Sequence, residues 1–351
     1  MVYLSKVLQL VIVGIAGVAM AHPGGQGEHK SMHPHAKRNF LAQSRRSLDS
    51  CSEHLESRGI KMRAEARRKA TAEKFRKRSA QPAGSYLQVR DTDTVLNTSH
   101  YSNLTGVTAG SADDVFYSEN VTCILSPEGE IGPFWVKGEL VRSNLIDNEP
   151  GVSVIIDGQF IDVNTCEPIS GLYWDVWNAN STGVYSGIVS DSNGNGDDLS
   201  NLNKTFLRGI QMTDSDGVAQ FTTNFPGHYS GRTNHVHVVA HVNATLLPNN
   251  TVTGGSVAHI GQFFYDQDLI TEVEATYPYT TNTNDVTTNA EDRVFATETE
   301  DSNSDPVFEY VLLGDTVSDG LFAWVTVGVD TTASYNTSYA SLLTSSGGVS
   351  E

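Results

Sequence analysis

Two tyrosines, two histidines and an arginine stand close together in two stretches, WNANSTGVY (Trp177 to Tyr185) and PGHYSGRTNHVHV (Pro226 to Val238). His235 and His237 are two residues apart, the spacing that points both imidazoles to one side of a β-strand. Val236, Val238 and Ala240 then take the opposite side, as a core face should. Neutral imidazole suits several transition metals. A phenolate is harder and more electron-rich, and tyrosinate is a ligand of oxidised haem iron. Tyr185, Tyr229, His235 and His237 together make a partly anionic donor set that favours Fe(III) over Zn(II) or Fe(II). Each residue also has an ordinary reading. Tyr185 fits a core tyrosine and Tyr229 a turn aromatic after Pro-Gly. The histidines fit a zinc pair or a solvated strand, and Arg232 a surface ion pair.

The whole constellation, taken in order, resembles the intradiol ring-cleavage dioxygenases. These non-haem Fe(III) enzymes open catechols between the two hydroxyl-bearing carbons. The family pattern is W-x-x-N-x-x-G-x-Y, then P-G-x-Y, then R-x-x-H-x-H. Here it is met by Trp177, Asn180, Gly183 and Tyr185; by Pro226, Gly227 and Tyr229; and by Arg232, His235 and His237. PEGEIGPFWV (Pro127 to Val136), TDSDG (Thr213 to Gly217) and GQFFYDQD (Gly261 to Asp268) extend the resemblance over roughly Cys123 to Asp330. It implies an all-β fold, a β-sandwich of the intradiol type. It implies Fe(III) held by Tyr185, Tyr229, His235 and His237, with Tyr229 also taking a substrate proton. Arg232 and Gln262 would stabilise charge that builds on the substrate and oxygen. Phe134 and Trp135 would wall the pocket or fill the core. The implied partners are a small catechol-type substrate and O2, with no organic cofactor, no nucleic acid and no membrane. Many intracellular members carry His or Gln where Asn178 stands, and Pro where Ser230 stands. With no recognisable helical dimerisation segment either, the chain looks like the secreted, fungal-type branch. The alternative is a non-catalytic secreted β-sandwich that keeps the scaffold and binds plant phenolics or cell-wall polymer.

Short apolar runs supply the elements that must position these residues. VSVIIDGQFIDV, LYWDVWNA, VAQFTTNF, HVHVVAHV and LFAWVTVGV alternate in character and are separated by Gly, Asn and Asp turns. That spacing predicts a β-sandwich over residues 123–330. Residues 273–304 are rich in Thr, Asn and Glu and are expected to cover the site or wrap the surface. Residues 331–351 form a Ser/Thr-rich tail expected to fray. Asp191, Asn193, Asn195 and Gly196 resemble the first half of a calcium loop, but Leu202 stands where a bidentate Glu is needed. A flexible polar insertion is expected there. His241 continues the face of His237, matches no ligand of the family pattern, and is expected to support the ligands from behind or to be structural.

The first 21 residues read as a signal peptide. Lys6 precedes the apolar run Val7 to Val18, and Ala19-Met20-Ala21 is a small-x-small cleavage signal. Asn97, Asn103, Asn120, Asn180, Asn203, Asn243, Asn249 and Asn336 each head an N-x-S/T triplet, in keeping with export. Asn180, inside the metal loop, is expected to be unglycosylated. The formal charge of −18 hides a sharp split. Residues 22–78 hold 15 basic and 6 acidic side chains, whereas residues 79–351 hold 7 and 35. The basic part predicts one or two helices from about Leu48 to Phe75. It ends at the polybasic triplet Arg76-Lys77-Arg78. It reads as a pro-segment pairing with the acidic domain, as a retained helical arm, or as a nucleic-acid arm, the last at odds with export and an acidic partner domain. Residues 79–122 read as a linker with one edge segment. Of three cysteines, Cys123 and Cys166 are expected to pair. Cys51 is left over, in a segment that is removed or pairs between chains.

Overall fold

The computed structural model describes Cys51 and residues 54–76, 92–101, 123–124, 131–299, 305–335 and 337–350. The signal peptide, the linker over 102–122 and the cleavage triplet beyond Arg76 lie outside the described residues. Among the described residues fourteen strands follow in chain order: β1 Cys123–Ile124, β2 Val136–Lys137, β3 Ser153–Asp162, β4 Tyr173–Trp177, β5 Arg208–Met212, β6 Val218–Asn224, β7 His235–Val242, β8 Thr245–Leu246, β9 Val252–Thr253, β10 Ser256–Phe264, β11 Glu309–Leu312, β12 Leu321–Val329, β13 Ser341–Thr344 and β14 Gly347–Ser350. Each of the five apolar runs became a strand.

Two sheets form the body. One has the order β1-β12-β3-β6, with β11 also paired to β12; the other runs β10-β7-β4-β5. Their facing sides share one apolar core. Val154, Ile156 and Phe160 of β3 and Ala323, Val325 and Val327 of β12 come from the first sheet. Trp174 and Val176 of β4 and Val236, Val238 and Ala240 of β7 come from the second. Strand periodicity then fixes the rest: if Val236 and Val238 face the core, His235 and His237 face away from it. The functional residues therefore lie on the outer face of the second sheet, where loops can cover them.

Three expectations need correction. Cys166 is bonded to Cys51, 115 residues away, and not to Cys123. The sequence contains no local signal for connectivity among three thiols. The Ser/Thr-rich tail does not fray over residues 341–350. Strands β13 and β14 pair there, and β13 also joins β2 in parallel. The buried Ser341 hydroxyl donates to the Gly187 carbonyl at 2.7 Å, which anchors the hairpin. The expected calcium-like insertion is also ordered, for a reason given below.

The stretch Thr92–Asn97 is helical, and the residues after it are fastened by His100. This buried imidazole places Nδ1 2.5 Å from Asp266 Oδ1 and Nε2 2.8 Å from Asp305 Oδ2. Burial opposes the imidazolium, but Asp305 and Asp266 outweigh it and hold its pKa well above the ordinary 6.5. A raised folded pKa gives stability that is complete below the unfolded value and is lost as pH rises through the folded one. Urea midpoints should therefore decline on the alkaline side of about pH 6.5, and His100→Gln should remove that part of the decline. A variant with the wild-type slope above that pH would contradict the assignment.

Candidate metal centre

Strand register assembles one side of the site. Trp177 of β4 and Gln262 of β10 both stand opposite His237 on β7, and Phe264 stands opposite His235. Directly opposed residues share a face, so these side chains form two adjacent rows on the outer surface of the sheet. The Trp177 indole stacks on the His237 imidazole, with centroids 4.8 Å apart and planes 3° from parallel. The backbone of Gly132 also approaches this ring. Its φ is +73°, and a Cβ there would lie 2.9 Å from His237 Cε1. Only glycine combines that conformation with that approach.

The loop after β4 is shaped to present Tyr185. The Asn180 side-chain oxygen accepts from the backbone N–H groups of Thr182 and Val184 at 3.1 and 3.0 Å, and its Nδ2 donates to Glu149. This amide is fully engaged inside the loop. Gly183 then takes a φ of +83°, and a Cβ would stand 2.3 Å from the His228 carbonyl oxygen. The calcium-like segment has its own purpose. Asn193 Oδ1 accepts the Tyr185 backbone N–H at 2.8 Å, while its Nδ2 donates to the Tyr185 carbonyl at 2.8 Å. Asn201 Nδ2 donates to the same carbonyl at 2.8 Å and to that of Ile188 at 2.6 Å. The expected flexible insertion is a polar clamp on the backbone of Tyr185.

Tyr229 and Arg232 occupy a tight turn closed by the Arg232 N–H donating to the Tyr229 carbonyl at 3.1 Å. Three partners fix the Arg232 guanidinium. Nε donates to Asp292 at 2.8 Å, Nη1 to the Tyr229 hydroxyl at 3.3 Å, and Nη2 to Gln262 Oε1 at 2.5 Å. Burial opposes its charge, but Tyr229 and Asp292 outweigh that and raise its pKa. Asp292 is buried, accepts the Thr233 N–H as well, and caps the helix Arg293–Thr299 through the N–H groups of Val294 and Phe295. The described part of segment 273–304, residues 273–299, thus supports the site through Asp292. It also holds the turn through His228, whose Nδ1 lies 2.9 Å from Glu274 and Nε2 3.0 Å from the Asn284 carbonyl.

Four donor atoms converge where these elements meet. His235 Nε2 lies 3.0 Å from His237 Nε2, 3.3 Å from the Tyr185 hydroxyl and 3.4 Å from the Tyr229 hydroxyl. The Tyr185 hydroxyl is 3.2 Å from His237 Nε2. His235 Nδ1 donates to the Thr233 carbonyl at 2.6 Å, which leaves the lone pair of Nε2 directed at the centre. Burial, and then Arg232, lower the His235 pKa to about 3; burial and His235 push that of His237 down as well. The His235 Nε2 lone pair is thus available at the centre, where a bound cation would take it. Burial by itself raises both phenols, Tyr185 with help from Tyr229 and Tyr229 against Arg232. A bound cation inverts that preference and favours phenolates. The donor set therefore fits a ferric ion. Among the described residues no group of three or more His, Cys, Asp or Glu is placed to hold a metal; here two tyrosines complete the set.

The family model Dioxygenase_C, described as Dioxygenase, matches residues 133–261. An intradiol ring-cleavage dioxygenase from Tetranychus urticae is 30% identical, with 61% of this chain and 98% of that chain covered and a TM-score of 0.49. The chain belongs to the intradiol ring-cleavage dioxygenases. The dioxygenase domain of a dioxygenase carbohydrate-binding protein fusion from Streptomyces sp. SirexAA-E is 21% identical over 58% of this chain and 97% of that one, with a TM-score of 0.37. Catechol 1,2-dioxygenase from Pseudomonas arvilla C-1 is 19% identical over 60% and 65%, with a TM-score of 0.38. No curated protein matches the chain significantly. Intradiol dioxygenases generally depend on non-haem Fe(III).

Within this dioxygenase, the structure brings Tyr185, Tyr229, His235, His237, Arg232 and Gln262 to one place. Phe134 joins them, its ring 4.9 Å from that of Tyr185 and 6.0 Å from that of Tyr229. Trp135 does not; its indole donates to the buried Asp175 at 3.0 Å, and Asp175 also meets His241 Nε2 at 3.3 Å. His241 is thus structural. Asp292, Asn193 and Asn201 escaped the sequence reading. An Asp before an apolar helix start signals a cap, but its bond to Arg232 sixty residues away leaves no local trace. Asn193→Ala removes both bonds to the Tyr185 backbone. It should weaken ferric-ion retention about 10- to 100-fold, the usual effect of losing support around a metal ligand, as read by competition with a chelator. Unchanged retention would remove Asn193 from the site's support.

Proposed function

We propose that this protein is a non-haem Fe(III) dioxygenase that cleaves a catechol-type diol between its two hydroxyl-bearing carbons, and that it works outside the cell. The convergence of two phenol and two imidazole donors on one point, beside a fixed guanidinium, carries this reading. In the overall reaction both atoms of O2 enter the product. The carbon–carbon bond between the hydroxyl-bearing carbons breaks, and a muconate-type diacid forms. Tyr185, Tyr229, His235 and His237 would hold a ferric ion, which would supply Lewis-acid chemistry to the catechol when bound.

The chain's own groups do the rest. Tyr229 is half-buried at the edge of the cluster, so its hydroxyl oxygen can reach the substrate and take a hydroxyl proton. Arg232 keeps a cation beside that oxygen, already tied to Asp292 and Gln262, so no reorganisation is needed as negative charge develops. Gln262 is buried and holds the guanidinium from β10. Phe134 presents an apolar surface beside the two tyrosines, suited to a flat aromatic ring. Export is supported by the leading apolar segment, by the N-x-S/T triplets and by the Cys51–Cys166 disulfide, which suits an oxidising compartment.

Protein loaded with ferric iron should be coloured by phenolate-to-iron charge transfer and should consume oxygen with a catechol. Tyr185→Phe or Tyr229→Phe keeps the ring but removes a phenolate, and should alter or abolish the colour. Colourless wild type after iron loading would sink the reading, and coloured protein inert towards a panel of catechols would leave a binding protein instead. Arg232→Ala should keep the colour and lower turnover about 100-fold or more, as for loss of a preorganised charge. Lys should rescue it only in part, because it lacks the planar fork. Full activity in Arg232→Ala would exclude it from the chemistry.

A further inference from the structure

Strand β3 is buried on both faces. Ile155, Asp157, Gln159 and Ile161 point away from the core between the sheets, yet none is more than 5% exposed. Phe322 and Trp324 on β12 are equally covered, at 0% and 1%. The cover is the basic segment. Residues 54–57 are helical, Gly59 turns the chain with a φ of +66°, and a helix runs over Ile60–Phe75. Ile60, Ala64, Arg68, Thr71 and Ala72 form its buried stripe, the spacing of one helix face. Ala72 packs with Ile155, Val311, Leu313, Phe322 and Trp324, while Cys51, Leu55 and Ile60 pack with Ile161 and Val163.

Charge is built into this contact rather than spread over it. Asp157 is fully buried and takes two bonds from Arg67, both at 2.9 Å, with Arg68 Nε at 3.4 Å and Gln220 Nε2 at 2.7 Å. Burial would raise the Asp157 carboxyl, but Arg67 and Arg68 overcome it and hold its pKa down. The Arg68 side chain is 2% exposed, donates to Thr326 at 2.9 Å and lies 5.9 Å from the centre of the Trp324 ring. Arg63 forms a fork on Asp216 at 2.8 to 3.1 Å. Arg58 and His54 both meet Glu167, next to the disulfide partner Cys166.

We infer that the outer face of the first sheet is a permanent docking surface for this chain's own basic helical segment, residues 51–76, which stays in the folded enzyme as a disulfide-tethered piece even if the chain is cut on its C-terminal side. A pro-segment that leaves would bare a contiguous apolar patch around Phe322 and Trp324. It would also strip both arginines from Asp157, and breaking a buried ion pair by removing one partner is costly. The bond to Cys166 sits at the far end of the segment from Arg76-Lys77-Arg78. Hydrolysis at that triplet therefore makes two polypeptides without separating them. Arg58, Arg63, Arg67 and Arg68 are each committed to a specific carboxylate of the domain, which suits a fixed partner better than nucleic acid or a removable cover.

Non-reducing peptide mapping of the full chain, then digestion with a protease specific for paired basic residues, tests this. Mapping should give one peptide pair joined through Cys51 and Cys166. After digestion and denaturation without reductant, the peptide that contains Cys51 and ends at the triplet should stay joined to the peptide that contains Cys166, whatever is released upstream by cuts at Lys37-Arg38 or Arg45-Arg46, and reductant should then free it. Amide exchange over residues 61–75 should be at least about 100-fold slower than in the isolated peptide, before and after cutting. A Cys123–Cys166 pair, a fragment containing Cys51 and the helix that leaves without reductant, or unprotected helix amides would each overturn the inference. If the protease does not cut, mapping and exchange decide it alone. None of these readouts depends on iron or turnover, so a failed dioxygenase reading would leave them untouched.

Discussion

His235 Nε2 and His237 Nε2 are held 3.0 Å apart in a buried, neutral pair, and most of the fold serves to keep them there. One strand fixes their spacing, and the core fixes the strand, because Val236, Val238 and Ala240 behind them are fully buried. Slipping β7 by one residue would exchange the two faces and put both imidazoles in the core. The His237 ring is also confined from outside the strand: the Trp177 indole stacks on it, and Gly132 brings backbone close against it.

The two phenols come from loops, yet they are no less constrained. Tyr185 is held by its backbone through Asn193 and Asn201, and Tyr229 by a turn that also carries Arg232. Asp292 ties that turn to a helix cap, so one carboxylate joins secondary structure to the charge that the chemistry needs. Both outer faces of the sandwich are thereby occupied. One carries the metal site, and the other carries a basic helix bound by a buried aspartate and a disulfide.

Much of this was legible before the structure. The period-two pattern of HVHVVAHV placed both histidines on one face, and strands β3, β4, β6, β7 and β12 were visible as apolar runs. The motif residues were legible through the family pattern, and the structure gives the local reasons for two of them: Asn180 folds its own loop, and Gly183 is needed where the backbone passes His228. What stayed hidden depends on distant partners. Nothing near Cys51 indicates Cys166, 115 residues away. Asn193 fell in a stretch expected to be a flexible polar insertion, because an amide that clamps a distant backbone and one exposed in a loose loop have the same composition. The hairpin near the C-terminus lacks strong alternation, and it is ordered by pairing with β2 rather than by its own propensity.

A single ferric ion shared by two side chains from loops and two from β7 is what the proposed chemistry requires. Anomalous scattering at the iron edge, from crystals of the full chain loaded with ferric iron, tests it most directly. The account predicts one strong peak bounded by the Tyr185 and Tyr229 oxygens and the Nε2 atoms of His235 and His237. Iron at another place, or a centre that binds none under saturating metal, would contradict it.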